Sequence, residues 1–324
     1  MYNILHKYKS AFFFLIKLII VGGAYYFISD KIRNNALLEN TNFLSDLSRN
    51  ILDNTSVLFI LFLFTFFNWF LEIFKWKTLV STIENISFFE ASKQSLSSLT
   101  ASLLTPNRIG EYGAKAIYYR KKERYKILFL NFLGNFNQML VTLLFGVFGL
   151  SFLIRFLPTT IELSLLQIIG VFIIFAVILL FSFHKTGKIY LNKIAGQLKS
   201  IGTKIHILNF NFSVLRYLVF SHQFYFLLFI FGADLDYFNA MPIIFTMYLF
   251  ASLIPGFVVF DWLIKGSVAV SLFEVFHVNE VLILSVTSIM WLANFALPAL
   301  IGSYFVLTFS KPASLELEEN IIYS

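Results

Sequence analysis

Six stretches of this sequence are long and apolar enough to cross a lipid bilayer, and this feature restricts the chain to one structural class. A bilayer core requires about 20 mostly apolar residues per helix. Only 13% of the residues are charged, whereas about a quarter are charged in a soluble domain. The sequence therefore predicts an all-α, polytopic membrane protein with six full transmembrane helices, near residues 11–29, 56–74, 127–154, 164–183, 213–232 and 281–308.

Two further apolar stretches are interrupted by residues that break helices. Residues 88–118 contain Pro106 and Gly110, and residues 241–276 contain Pro255 and Gly256. Proline removes a backbone donor and clashes with the preceding turn. Broken backbone at membrane depth is tolerated where protein or a water-filled cavity surrounds it. We expect both stretches to be re-entrant helical hairpins.

The basic residues predict how these segments are oriented. Positive charge collects in cytoplasmic loops, and it is found here in five places: Lys7 and Lys9; Lys75, Lys77 and Lys93; residues 120–126; residues 185–204; and Lys311. This pattern places both termini in the cytoplasm and lets one hairpin enter from each side of the cytoplasmic (inner) membrane.

Hairpins that enter from opposite sides are typical of an inverted-topology repeat. We expect a single transmembrane domain over residues 1–310, with a first repeat at about 56–155 and a second at about 213–308. Residues 311–324, which include three glutamates, are expected to form a disordered cytoplasmic tail.

Composition and motifs argue against several functions. The chain has no cysteine, which rules out disulfides and thiolate metal sites. It has no phosphate-binding P-loop, no GxSxG motif and no HExxH motif, and His222 has no second ligand at helical spacing. Because these motifs are missing, we expect no metal and no cofactor. The net charge of +7 comes from loops beside apolar segments, so we also expect no nucleic-acid binding.

Charged residues follow each helix break at matching spacing. Glu111 precedes Lys115 and Asp261 precedes Lys265 by four residues, which is the favourable order for a helical ion pair. Charges at membrane depth are costly and usually line a cavity or pair with one another. The half-helix after a break also favours an anion at its N-terminus. One interpretation is a phosphate or carboxylate site, and the other is salt bridges that only fix the hairpins.

A second group of polar residues lies on the neighbouring helices. Asn131, Asn135 and Gln138 share one helix face because they are four and three residues apart, and Glu72 with Asn68 forms a similar pair. Hydrogen bonds between helices would also explain these residues. We predict that four of these residues surround the ligand-binding residues and hold them in position: Glu72, Asn131, Asn135 and Gln138.

Two segments resemble the signatures of a known family. SLLTPNRIGEYGAKA, from Ser102 to Ala116, and SLIPGFVVFDWLIKGSVA, from Ser252 to Ala269, are similar to the lysylphosphatidylglycerol synthase transmembrane (flippase-like) family. The second signature commonly has a glycine-rich run where this chain has Phe257, Val258 and Val259, and Asp and Lys stand where Glu and Arg are usual.

The resemblance implies a stand-alone domain that moves or binds phospholipid, with an anionic or aminoacylated phospholipid as partner and a homo-oligomer as a possible assembly. The chain ends shortly after the last predicted helix, so we expect no aminoacyl-transferase domain and no enzymatic lysyl transfer. The residues predicted to bind the head group are Pro106, Arg108, Gly110, Glu111, Lys115, Pro255, Asp261, Lys265 and Gly266.

Two alternative functions remain open. Asp234 and Asp236 form a D-x-D pair in a loop predicted to be external, and paired carboxylates can bind a divalent cation. They would suit a membrane glycosyl or phosphoryl transferase. The other alternative is a non-catalytic assembly partner for an enzyme of the cell envelope.

Overall fold

The computed structural model describes residues 53–103, 105, 108–156, 194–254 and 261–310, together with the single residues 15, 22, 26 and 51. All the secondary structure in this part of the chain is helical. The helices include α1 (Thr55–Val80), α2 (Phe88–Ser102), α3 (Ile109–Ala116), α4 (Arg124–Leu153), α5 (Thr203–Ile230), α6 (Tyr237–Leu253), α7 (Asp261–Glu274), α8 (Glu280–Trp291) and α9 (Leu297–Leu307). A π-helical turn, Leu292–Ala296, joins α8 to α9.

Four of the predicted spans are confirmed as helices long and apolar enough to cross a bilayer. They are α1, α4, α5 and the continuous run Glu280–Leu307. The predicted spans at 11–29 and 164–183 and the predicted tail at 311–324 lie outside the described residues, apart from the three single residues in or near the first span. The total of six spans stays a prediction.

Two spans are longer than their hydropathy predicts because polar residues in them are buried against protein. α1 continues to Val80, so Lys75 is a fully buried helix residue and not the loop charge that the sequence suggested. α5 begins at Thr203, since Asn209 and Ser213 are buried, and Asn209 donates to the Leu133 carbonyl at 3.4 Å.

Side-chain caps define the starts of several helices. Asn54 caps α1, accepting from the Val57 N–H at 3.3 Å. Ser87 and Glu90 form a reciprocal capping box at the start of α2, which satisfies two backbone donors at once. Asn279 caps α8, accepting from the Val281 N–H at 2.8 Å. These caps fix where the chain leaves each loop.

The predicted helix breaks are present, and at the first of them the chain folds back. α2 ends at Ser102 and α3 begins at Ile109. Ser97 bonds to Tyr118 at 3.0 Å, and Tyr119 donates to Gln94 at 2.8 Å. The segments before and after the break therefore lie side by side and run in opposite directions. The second break separates α6 from α7 between Leu253 and Asp261. The placement of either hairpin in a bilayer stays a prediction.

The two halves of the described chain pack against each other reciprocally. α1 packs along α5, while α4 of the first half packs on α6 of the second and α9 of the second half packs on α2 of the first. Glycines permit both crossings: a Cβ added at Gly149 would overlap the Pro242 carbonyl, and one added at Gly302 would overlap the Leu96 carbonyl. This packing encloses the polar residues at the centre of the molecule.

Candidate functional site

At the first helix break a cation, Arg108, stands directly before α3. Arg108 has a left-handed backbone conformation (φ 58°) immediately before α3, and strain of this kind is concentrated at functional sites. The Gly110 N–H donates to the Thr105 hydroxyl at 2.8 Å. A Cβ at Gly110 would overlap the Ala101 carbonyl, so glycine is required where the two arms approach.

Glu111 is the centre of the first ion network. Its carboxylate lies 2.9 Å from an Arg108 guanidinium nitrogen and 2.9 Å from the Lys115 ammonium, and both Glu111 and Lys115 are 2% exposed. Lys115 also donates to Asn131 at 2.8 Å and lies 4.3 Å from the centre of the Trp76 ring. The predicted Glu111–Lys115 pair is therefore present, together with a second cation.

Glu72 is the centre of a second network on α1. Its carboxylate lies 2.6 Å from the Lys75 ammonium and 2.8 Å from Nη1 of Arg216 on α5. Arg216 Nε donates to the Asn68 side chain at 2.9 Å. Each of the two buried carboxylates therefore contacts two cations.

Amide side chains connect the second network to the middle of the molecule. Asn68 donates to Asn294 at 2.7 Å, and Asn294 donates to Gln223 at 2.9 Å. Gln223 donates to the Thr65 hydroxyl at 3.1 Å. Asn294 lies in the π-helical turn, and such turns occur frequently at functional sites. This chain of hydrogen bonds holds α1 and α5 to the π-helical turn between α8 and α9.

Both networks border one central cavity of about 510 Å³. Three cations from three helical regions line it, namely Arg108, Arg216 and Lys265. Amide, hydroxyl and aromatic side chains form the remaining polar lining, and no described residue of the lining is a carboxylate. The lining also includes Trp69, Tyr112, Asn135, Gln138, Tyr248, Trp262 and Asn294.

The second helix break contributes a cation and aromatic rings to the same cavity. Lys265 lies 5.6 Å from the centre of the Phe295 ring, and Trp262 donates to Ser288 at 3.0 Å. A Cβ at Gly266 would be 3.3 Å from Leu284, so this glycine lets α7 lie close to α8. Pro106, Pro255 and the side chain of Asp261 lie outside the described part of the structure.

The structure separates the predicted supporting residues into two groups. Asn131 and Glu72 are buried and hold cations, whereas Asn135 and Gln138 line the cavity. Asn135 donates to Tyr112 and Gln138 donates to the Ser213 carbonyl, both at 3.4 Å. Both amides therefore form hydrogen bonds between helices, Asn135 from α4 to α3 and Gln138 from α4 to α5.

Arg216 is the site residue that the sequence interpretation missed. It is 16% exposed in its side chain and joins the Glu72 carboxylate to the cavity. An arginine in the middle of an apolar span is itself a signal, because such a charge usually lines a cavity or has a partner.

Residues of the alternative interpretations have structural roles in the described chain. Asp236 caps α6, accepting from the Phe238 N–H at 3.0 Å and contacting the Asn239 amide. His222 bonds to the Leu218 carbonyl at 2.7 Å and to Tyr237 at 2.9 Å. No group of three potential metal ligands occurs among the residues that the structure describes.

Comparison with known families identifies the domain. The lysylphosphatidylglycerol synthase TM region family matches residues 14–302. The chain belongs to this family. Membership together with the four apolar helices makes it a multi-pass membrane protein of a family connected with membrane lipid. Neither the search of curated proteins nor the search of solved structures returned a similar protein.

Proposed function

We propose that this protein binds phospholipid head groups in its central cavity and moves the lipids across the membrane. The observation that carries the proposal is the convergence of Arg108, Arg216 and Lys265 on one cavity of about 510 Å³. A cavity of this size fits a small ligand or head group. Guanidinium groups match the geometry of phosphate oxygens, and the lysine adds a point charge.

The aromatic residues around these cations suit the part of a lipid that joins the head group to its chains. Trp69, Tyr112 and Trp262 each combine an apolar ring with a polar group, which is the property that places Trp and Tyr at membrane interfaces. In the proposed mechanism Arg108 and Lys265 bind the phosphate while the chains remain in lipid. Alternate opening of the two hairpins, as in inverted-repeat transporters, would then expose the head group to each side in turn.

Translocation by the full chain in liposomes tests the proposal. We expect the wild type to accelerate exchange of an acyl-labelled phospholipid between leaflets, measured by quenching of the outer leaflet. Arg108→Ala and Lys265→Ala should each slow this exchange by about tenfold, if each cation contributes about 1.4 kcal/mol to head-group binding. Lys199→Ala, at an exposed lysine away from the cavity, is the control. Unchanged exchange in both cavity variants would contradict the proposal.

A further inference from the structure

One wall of the central cavity carries hydrogen-bonding groups that the protein itself leaves unused. The wall is formed by Tyr112 on α3 and by Asn135 and Gln138 on α4, all of which line the cavity. Asn135 and Gln138 are neighbours on one face of α4 because they are three residues apart. The Asn135 amide nitrogen donates to the Tyr112 hydroxyl at 3.4 Å, which joins the two helices into one surface. We call these three side chains the polar wall.

Each member of the polar wall has one unused hydrogen-bonding atom. The amide nitrogens of Asn135 and Gln138 donate to Tyr112 and to the Ser213 carbonyl, whereas neither amide oxygen accepts a hydrogen bond from the described residues. The Tyr112 oxygen accepts from Asn135, but the Tyr112 O–H has no acceptor in the same part of the structure. Polar atoms inside proteins normally have a partner, so the polar wall lacks two donors and one acceptor.

The unused amide oxygens can turn toward a ligand at little cost. Both bonds that hold the amide groups, from Asn135 to Tyr112 and from Gln138 to Ser213, are 3.4 Å long, which is beyond the usual N–H···O distance of about 2.7–3.2 Å. The Gln138 oxygen is buried beside the cavity, and a small rotation of this loosely held amide brings the oxygen to the cavity surface.

The polar wall lies between two of the cations that line the cavity. Arg108 stands directly before α3, about one helical turn from Tyr112. Gln138 bonds to Ser213, which lies three residues before Arg216 on α5, and residues at this spacing are neighbours on a helix surface. A phosphate bound by the cations, as proposed above, would therefore have the polar wall beside it, in position to contact the group that the phosphate carries.

Hydroxyl groups match the polar wall better than other head-group functions do. A hydroxyl both donates and accepts, so hydroxyls can donate to the two amide oxygens and accept from Tyr112. An ammonium group only donates and would leave the Tyr112 O–H without an acceptor, and an alkyl group would satisfy none of the three atoms. One hydroxyl for each wall residue requires a head group with more hydroxyls than glycerol retains in a phospholipid. Sugars and cyclitols meet this requirement.

We infer that the cavity selects phospholipids whose head group is a phosphate-linked sugar or cyclitol. The inference rests on the proposed head-group site and specifies its substrate class. The cavity volume of about 510 Å³ lies within the range of about 300–1,000 Å³ that holds drug-sized ligands, so a polyol ring fits together with its phosphate. In this arrangement the cations bind the phosphate that all such lipids share, and the polar wall distinguishes the group attached to it.

Retention of lipids with the same charge tests the selectivity. The full chain is reconstituted in phosphatidylcholine nanodiscs doped equally with phosphatidylinositol, phosphatidylglycerol and phosphatidylethanol, and the lipids that stay bound after transfer to detergent are measured by mass spectrometry. All three are anionic phosphodiesters, with a cyclitol, a glycerol and a plain ethyl head group. We expect phosphatidylinositol to be retained about tenfold more than phosphatidylethanol, the ratio that two hydrogen bonds of ordinary net strength give, with phosphatidylglycerol between them. Equal retention would overturn the inference, because water would then satisfy the polar wall as well as a hydroxyl does.

Variants of the polar wall locate the effect. Tyr112→Phe removes only the phenolic hydroxyl and Asn135→Leu removes only the amide, so each should lower the preference for phosphatidylinositol to about threefold. Retention of phosphatidylethanol should stay unchanged in both, which also shows that the variants are folded. Tyr304→Phe, at an exposed tyrosine of α9 outside the cavity lining, is the matched control. A preference that survives both wall variants, or that falls as far in the control, would overturn the inference.

Two further arms separate a lipid from a free ligand and selectivity from transport. Glycerophosphoinositol, the same head group without acyl chains, should not displace phosphatidylinositol at equal concentration, and displacement would overturn the assignment to a lipid. Exchange between leaflets combined with equal retention of the three lipids would support translocation and contradict this inference. Selective retention of phosphatidylinositol without exchange would support this inference and contradict translocation. Retention of none of the three lipids would contradict the head-group site and this inference together.

Discussion

The arms that precede the two helix breaks, α2 and α6, have the same packing role but opposite chemistry. Each arm is the surface on which the last long helix of the other half packs. α2 buries four serines and one threonine, whereas α6 buries almost only apolar residues. Equivalent positions in the two halves are therefore not equivalent in polarity.

The described charges have the same uneven distribution. Four of the five cations in and around the cavity belong to the segment from α1 to α3 or bond directly to it, and so do Glu72 and Glu111, the carboxylates of the two ion networks. The second half supplies Lys265, Trp262 and much of the apolar wall. The comparison shows that both halves contribute equally to the helix packing between them, whereas the first half supplies most of the charged residues around the cavity. Substitutions that remove charge and substitutions that disturb packing should therefore behave differently in the two halves.

The largest expected effect comes from removing the carboxylate at the centre of the first network. Glu111→Gln removes the counter-charge of the buried Lys115 and of the partly exposed Arg108. Breaking a buried ion pair in this way costs about 3–5 kcal/mol. We expect the free energy of unfolding in mixed micelles to fall by this amount.

Glu274→Gln is the matched control in the second half. Glu274 is an exposed acid at the end of α7, and exposed substitutions usually change stability by less than about 0.5 kcal/mol. An equal loss of stability in the two variants would contradict the conclusion that the stabilising ion networks belong to the first half.

The next effect concerns the two helix crossings between the halves, where matching substitutions should lower stability to a similar extent. Gly149→Ala and Gly302→Ala each force a methyl group into a helix crossing, one against the Pro242 carbonyl and the other against the Leu96 carbonyl. Overpacking of this kind costs about 1–3 kcal/mol. Both variants should lower the midpoint of thermal unfolding by similar amounts.

Gly113→Ala is the control for this comparison. A Cβ at Gly113 meets nothing within 4 Å, and alanine is favoured over glycine inside a helix by roughly 0.5–1 kcal/mol. This variant should be as stable as the wild type or more stable. If only one of the two crossing variants lost stability, the packing of the halves would not be reciprocal.

The sequence predicts the helix breaks and the local ion pair better than it predicts the contacts between distant charged residues. The breaks between α2 and α3 and between α6 and α7 follow from Pro106 and Pro255, because proline ends a helix through local chemistry. The Glu111–Lys115 pair follows from helical spacing. Both features depend only on residues near in sequence, so both were predictable.

The partners of Glu72 depend on contacts between distant parts of the chain. Arg216 is brought to Glu72 by the packing of α5 on α1, and no local spacing indicates this pairing. Hydropathy places Lys75 in a loop because its positive charge shortens the apparent span, yet Glu72 pairs with it at 2.6 Å inside the helix. A span estimated from hydropathy ends too early where a buried charge has a buried partner.

The smallest effect separates two threonines at matching crossings. Thr100 on α2 donates to the Ala299 carbonyl of α9 at 2.8 Å, a bond between the halves, whereas Thr246 on α6 donates to the Pro242 carbonyl of its own helix at 2.9 Å. Interhelical hydrogen bonds in membrane proteins contribute about 0.6 kcal/mol on average and at most about 1.7. Thr100→Val should therefore lower the free energy of unfolding by an amount in this range. Thr246→Val removes a bond that does not join two helices and should cost less, measured in the same micelles. A larger loss for Thr246→Val would mean that α6, despite its apolar surface, depends on polar contacts as much as α2 does, and the chemical difference between the two arms would then have no energetic consequence.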